Sequence, residues 1–216
     1  MPKKSNLIWK LFQTYFLPPL CSSCNKNLGY ICSQCHNSLN FKINTSTIDS
    51  HKHYYLSSYT PQLQNIIQAI KFDQYEKALE SISQHLIKTA TIQSLIKQYD
   101  AWISVPYHQK KQYQRGYNII ETIFKPIFDI HAIPLIYPIK RSKQTPSLSK
   151  LSKENRKKVL SKAFSYNKNY NINLKNKKIA LVDDIVTTQT TMKNCLQLLH
   201  DNYQIDTIDC ISLIKA

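Results

Sequence analysis

A chain of 216 residues holds one substantial domain and a small appendage, and 42% hydrophobic content without a low-complexity tract excludes an extended, unfolded chain. A net charge of +16 calls for a polyanionic partner: nucleic acid, phosphorylated metabolites or an anionic membrane surface. With glycine only at Gly29 and Gly116, neither the glycine-rich dinucleotide fingerprint nor a P-loop can be written anywhere in the chain.

Residues Leu7 to Leu17 (LIWKLFQTYFL) form the first apolar run, interrupted by Lys10, Gln13 and Thr14. The run is too short to span a bilayer, and no small-residue cleavage site follows it. It reads as an amphipathic segment that packs on the body of the protein, with peripheral membrane contact as the other option. Two Cys-x-x-Cys pairs follow, Cys21/Cys24 and Cys32/Cys35, separated by seven residues. Four thiolates at this spacing suit a closed tetrahedral Zn²⁺ site, while two disulfides or a dithiol redox pair are the alternatives. The expected reducing compartment disfavours disulfides. His36 adjoins a shell that the thiolates already complete. We expect residues 1–45 to form the amphipathic segment and zinc module, and residues 46–216 the main domain.

Asn37 to His53 is polar and reads as a linker, and Tyr54 to Tyr59 as a short strand. Apolar residues at helical spacing predict a helix from Pro61 to about Phe72, with Lys71 as an anion contact, and further helix between Ala78 and Ile96. Ala101 to Val105 is a strand candidate. A basic loop with Lys110, Lys111 and Arg115 follows, then Gly116 as a hinge and a helix carrying Ile119, Ile120, Ile123 and Phe124. Such a loop can hold a diphosphate, though it can equally be an ordinary solvated loop. Tyr107, Tyr113 and Tyr117 interleave with its cations and offer bases a stacking surface. Pro134 and Pro138 make Ile133 to Ile139 an edge or broken strand. From Lys140 to Lys178 thirteen cations face only Glu154, which supplies most of the charge excess. Cys195 and Cys210 fall on apolar faces and read as core cysteines, and Ile205 to Leu213 as the last strand.

The stretch KIALVDDIVTTQTT, Lys178 to Thr191, organises the rest. A buried parallel strand ends on Asp183 and Asp184, and a hydroxyl-rich loop leads into a helix, a geometry that points N–H groups at an anion. This order resembles the phosphoribosyl diphosphate (PRPP) loop of type I phosphoribosyltransferases, which commonly have Gly where Gln189 stands. The resemblance implies that Asp183 and Asp184, the candidate catalytic residues, bind the ribose hydroxyls. It further implies that Thr187, Thr188, Gln189, Thr190 and Thr191 wrap the 5′-phosphate, and that Lys110, Arg115, Lys140 and Arg141 complete the PRPP set.

Taken with the four-cysteine knuckle, the series Val105-Pro106-x-His108, Arg115-Gly116-Tyr117-Asn118, Lys140-Arg141, Thr145, Leu151, Arg156 and Ala163-Phe164 resembles the ComF (ComFC-like) competence proteins. That family commonly has Gln where Leu148 stands and Asn where Val159 stands; Arg141 to Arg156 resembles the loop that closes over substrate. The resemblance spans Cys21 to the C-terminus. It implies an α/β, type I phosphoribosyltransferase-like fold, mainly a parallel sheet flanked by helices, behind a small zinc module. It implies a cytoplasmic protein, at most peripheral to the inner membrane, that binds single-stranded DNA during natural transformation. Helicase, recombinase or inner-membrane DNA channel are the expected partners. Structural Zn²⁺, and Mg²⁺ arriving with PRPP, are the implied cofactors. The DNA contacts expected are Lys110, Lys111, Arg115, Lys143, Lys150, Lys153, Arg156, Lys157 and Lys158. The alternative is an active Mg²⁺-dependent transferase moving ribose 5-phosphate from PRPP to a nitrogen acceptor that the sequence does not name.

Overall fold

The computed structural model describes residues 20–26, 29–72, 76–107, 109–141, 163–168, 170 and 172–216. The expected N-terminal amphipathic segment, His108, and the basic stretch carrying Lys143, Lys150, Lys153, Arg156, Lys157 and Lys158 lie outside these residues. No helix among the described residues is long and apolar enough to cross a membrane.

The body is a six-stranded sheet in the order β1-β2-β8-β7-β3-β4. Its strands are β1 (Asn44–Ile48), β2 (His51–Ser58), β3 (Ala101–Ser104), β4 (Leu135–Ile136), β7 (Lys178–Val186) and β8 (Thr207–Lys215). Only β1 runs antiparallel to its neighbour. In β7 Ile179, Ala180, Leu181 and Val182 are all fully buried, as expected of a central parallel strand covered on both faces. The segment expected to be a linker instead contributes β1 and the start of β2, a tight hairpin whose turn passes through Asp49 at φ 52°. Its Thr and Ser residues read as coil because β1 buries only one residue strongly, Ile48.

A short helix α1 (Ser33–Ser38) carries Cys35 of the cysteine module, and two further helical layers cover the sheet. On one face α2 (Pro61–Phe72), α3 (Glu76–Lys88), α4 (Ala90–Ile96) and α6 (Ile119–Ile130) bury Leu79, Ile82, Ile123 and Phe128 against Trp102, Ala180 and Val182. The ring centroids of Trp102 and Phe128 lie 4.8 Å apart. On the other face α7 (Thr190–Asn202) packs Met192, Cys195 and Leu199 onto Ile179, Leu181 and Cys210. Cys195 and Cys210 are therefore core residues, both fully buried. A small antiparallel hairpin, β5 (Ile139–Arg141) with β6 (Phe164–Tyr166), joins this second layer. The proline-bounded segment thus breaks into β4 and β5, which belong to different sheets.

The chain order sets where a ligand can bind. From β3 the chain moves outward to β4, through the short helix α5 (Gln109–Arg115) and α6; β7 lies on the other side of β3 and continues through α7 to β8. The two crossovers leave in opposite directions, so a crevice opens at the carboxyl ends of β3 and β7.

Candidate ligand crevice and four-cysteine site

Asp183 and Asp184 lie at this switch point, and β7 continues through them to Val186. Both are buried, at 8% and 4% exposure. Successive side chains of a strand point to opposite faces. Asp183 thus follows Ile179 and Leu181 toward α7, while Asp184 follows Ala180 and Val182 toward α2. Their oxygens accept from successive backbone amides: Asp184 N–H to Asp183 Oδ1 at 2.9 Å, and Ile185 N–H to Asp184 Oδ1 at 2.8 Å.

The two carboxyls differ in partners. Lys71, at the end of α2, places Nζ 3.0 Å from Asp184 Oδ2. Burial alone would raise the Asp184 carboxyl, but Lys71 outweighs it and holds the group below the usual range. Among the described residues no ion pair is formed by Asp183, and burial together with the neighbouring Asp184 pushes its carboxyl well above the usual value. Burial lowers the Arg141 guanidinium, against the attraction of Asp183, and the Arg141 head sits 5.3 Å from the Phe164 ring centre. Tyr107 completes the floor, its phenol pushed far up by burial and by Asp184 and Asp183. Arg115 lies over the Tyr107 ring at 5.8 Å, with its Nε buried and lacking a hydrogen-bond partner.

The expected basic loop is helical instead, and its end explains the Arg-Gly-Tyr-Asn motif. Gly116 takes φ 87°, which a side chain would strain. The Tyr117 hydroxyl donates to the Ile70 carbonyl at the end of α2. Asn118 caps α6 by accepting from Ile120 and Glu121 N–H. Three residues of the motif thus build the corner, and Arg115 is the one left facing the crevice. Tyr107 and Tyr117 are packing residues here, which corrects the expected stack of three tyrosines; only Tyr113 stands out, 90% exposed.

Beyond β7, Thr187 and Thr188 are exposed, and Gln189, Thr190 and Thr191 lead into α7. Gln189 takes φ 58°, the left-handed conformation that glycine adopts most easily, at the position where glycine was the expected residue. Its Nε2 donates to the Thr47 carbonyl at 3.5 Å. Lys193 pairs with Asp49 in the same hairpin turn. The structure therefore brings Asp183, Asp184, Lys71, Arg115 and Arg141 to one crevice, with the 187–191 loop along its rim. Lys140 is exposed on β5, and Lys110 and Lys111 belong to α5.

The second site is the knuckle. The Sγ atoms of Cys21, Cys24, Cys32 and Cys35 all lie within 4.8 Å of one another, and all four cysteines are free. Four thiolates about 2.3 Å from one Zn²⁺ lie about 3.8 Å apart, close to the Cys24–Cys32 separation of 3.9 Å. Cys32 N–H donates to Cys21 Sγ at 3.3 Å, the kind of amide contact that orients a thiolate ligand. The cluster can hold a metal such as zinc. It is docked on the helical layer by Asn65 Nδ2 to Ser23 O at 3.2 Å and by His36 Nε2 against Ser81 O at 3.2 Å.

The parallel sheet, its switch-point carboxylates and the hydroxyl-rich loop into α7 define a type I phosphoribosyltransferase-like protein with a four-cysteine module. No protein-family model matches the chain. Among curated proteins it is similar to competence protein F of Haemophilus influenzae, 28% identical over 185 residues, covering 84% of this chain and 78% of that protein. It is also similar to DNA utilization protein YhgH of Escherichia coli (strain K12), 26% identical over 151 residues, with 68% of this chain and 65% of that protein covered. The chain is ComF-like. Among solved structures it overlays partly on a hypoxanthine phosphoribosyltransferase from Staphylococcus aureus, at 17% identity and TM-score 0.39, over 65% of this chain and 64% of that one.

Proposed function

We propose that the protein is a ComF-type DNA-handling protein that binds single-stranded DNA during natural transformation and carries a PRPP-binding pocket in the crevice at Asp183 and Asp184. The observation that carries the pocket is a buried, unpartnered donor, Arg115 Nε, over the ring of Tyr107, which in turn neighbours the two buried carboxylates at the sheet switch point. A buried donor left unpaired is costly, and an anionic ligand oxygen would satisfy it. Asp183 and Asp184 orient the ribose, Arg115 and Arg141 face the diphosphate with Lys110 and Lys140, and residues 187–191 hold the 5′-phosphate. Mg²⁺ enters with the substrate and is held largely through phosphate oxygens and water. The four-cysteine cluster serves as a structural zinc site.

DNA contact is electrostatic, supported by the +16 charge and by the names of the relatives. Lys110, Lys111, Arg115, Lys143, Lys150, Lys153, Arg156, Lys157 and Lys158 are the DNA contacts of this reading, in which the protein works in the cytoplasm beside uptake or recombination partners. Calorimetry with PRPP and Mg²⁺ tests the pocket: binding is expected in the wild type and lost in Asp183→Ala. No heat and no protection against thermal unfolding would rule the pocket out. Diphosphate release with a panel of purine and pyrimidine acceptors separates a transferase from a pocket that only binds.

A further inference from the structure

Away from the crevice, the turn of the β1–β2 hairpin meets the last turn of α7. His51 Nε2 and His200 Nε2 face each other at 3.2 Å, with ring centroids 5.1 Å apart. His51 Nδ1 lies 2.8 Å from the Ile208 carbonyl. A carbonyl can only accept, so Nδ1 carries the proton and His51 Nε2 presents a bare lone pair. This is the arrangement of a metal-binding histidine, whose far nitrogen is anchored to a backbone carbonyl.

The geometry of the two rings supports the same reading. At this N···N distance a linear hydrogen bond between imidazoles would set the ring centres about 5.5 Å apart. Two imidazoles about 2.05 Å from one tetrahedral ion would have nitrogens about 3.3 Å and centroids about 5.2 Å apart. The observed centroid separation of 5.1 Å matches the second case, with the two rings inclined 30° to each other. The nearby carboxylates are engaged elsewhere, Asp49 with Lys193 and Asp201 with Gln197. His51 is half-buried and His200 exposed, so an ion and its waters can reach them.

We propose that His51 and His200 form a second metal site, open to water, for an imidazole-preferring divalent transition metal such as Zn²⁺. Two protein nitrogens and water complete its shell, and the ion ties the hairpin turn to the end of α7. The site is separate from the four-cysteine cluster and from the phosphoribosyl crevice.

Zn²⁺ titration of the full chain, followed by calorimetry and by ¹⁵N NMR of the histidine rings, tests the proposal. Wild type is expected to bind one Zn²⁺ more per chain than His200→Ala, with both rings held as Nδ1–H tautomers. Thermal stability should rise with this extra equivalent in wild type and not in His200→Ala. The exposed position of His200 leaves the zinc-free melting temperature of that variant unchanged. Equal stoichiometry in the two proteins up to about 100 μM free Zn²⁺ overturns the site, as does an extra equivalent that leaves the His51 resonances unmoved.

Discussion

Asp183 and Asp184 are chemically identical neighbours, yet strand alternation sends them into different environments. Asp184 has its cation, and its stabilising contribution is present above the ordinary carboxylate value near 3.9 and is lost as pH falls through its lowered folded value. Asp183 has the opposite sign. Its raised carboxyl contributes stability below that ordinary value, which is lost as pH rises through the folded value. Asp183→Asn keeps an oxygen for the Asp184 amide and removes a buried charge. Urea unfolding at pH 7 should therefore show a gain on the order of 1 kcal/mol, while PRPP binding is lost. Lys71→Met leaves Asp184 buried without its cation and should cost about 2 kcal/mol in the same measurement. Gln189→Gly relieves a left-handed side-chain position and gives up one long hydrogen bond; a small gain, about 0.5 kcal/mol, is expected together with tighter phosphate binding.

The element with the least obvious sequence signal, the β1–β2 hairpin, reaches α7 through Asp49 with Lys193 and His51 with His200. It also carries a fully buried histidine, His53, between Ser46 Oγ at 3.0 Å and Ser212 Oγ at 2.9 Å. Burial, with Lys215 nearby, lowers its pKa to about 4. The neutral ring is favoured in the folded state, so stability is complete above the ordinary value of 6.5 and falls as pH drops from there toward 4. Unfolding measured across that window should show a loss of about 3 kcal/mol, absent in His53→Gln. The central elements were readable from sequence because each buries an uninterrupted or helically spaced apolar set, as in Ile179 to Val182 and Ile119 to Phe128. The hairpin was not, because His53, Ser46 and Ser212 satisfy one another inside the sheet and look solvated in the sequence. The cysteine cluster was legible from its Cys-x-x-Cys spacing, and the position of Asp183 and Asp184 near the end of a buried strand from the apolar run before them. The ion pair of Lys71 with Asp184 was not, since more than a hundred residues separate them and only the sheet order brings them together.

At the scale of the whole molecule, charge and metal are the two external levers. If DNA is held through phosphates, affinity for an oligodeoxythymidine should fall steeply, roughly a hundredfold or more, between about 50 and 200 mM salt in a filter-binding or anisotropy assay. A flat salt response would remove DNA contact from the proposed function. One helix joins the knuckle to the crevice: α2 holds Ser23 of the cysteine module through Asn65, and Asp184 through Lys71. Six residues of helix separate these two contacts, about 9 Å of rigid rod. Stripping the metal would free one end of that rod, so chelation should weaken PRPP binding even though no cysteine touches the pocket. If the cluster holds zinc and the crevice PRPP, as proposed, the four-cysteine module acts as a tensioner on the crevice through α2.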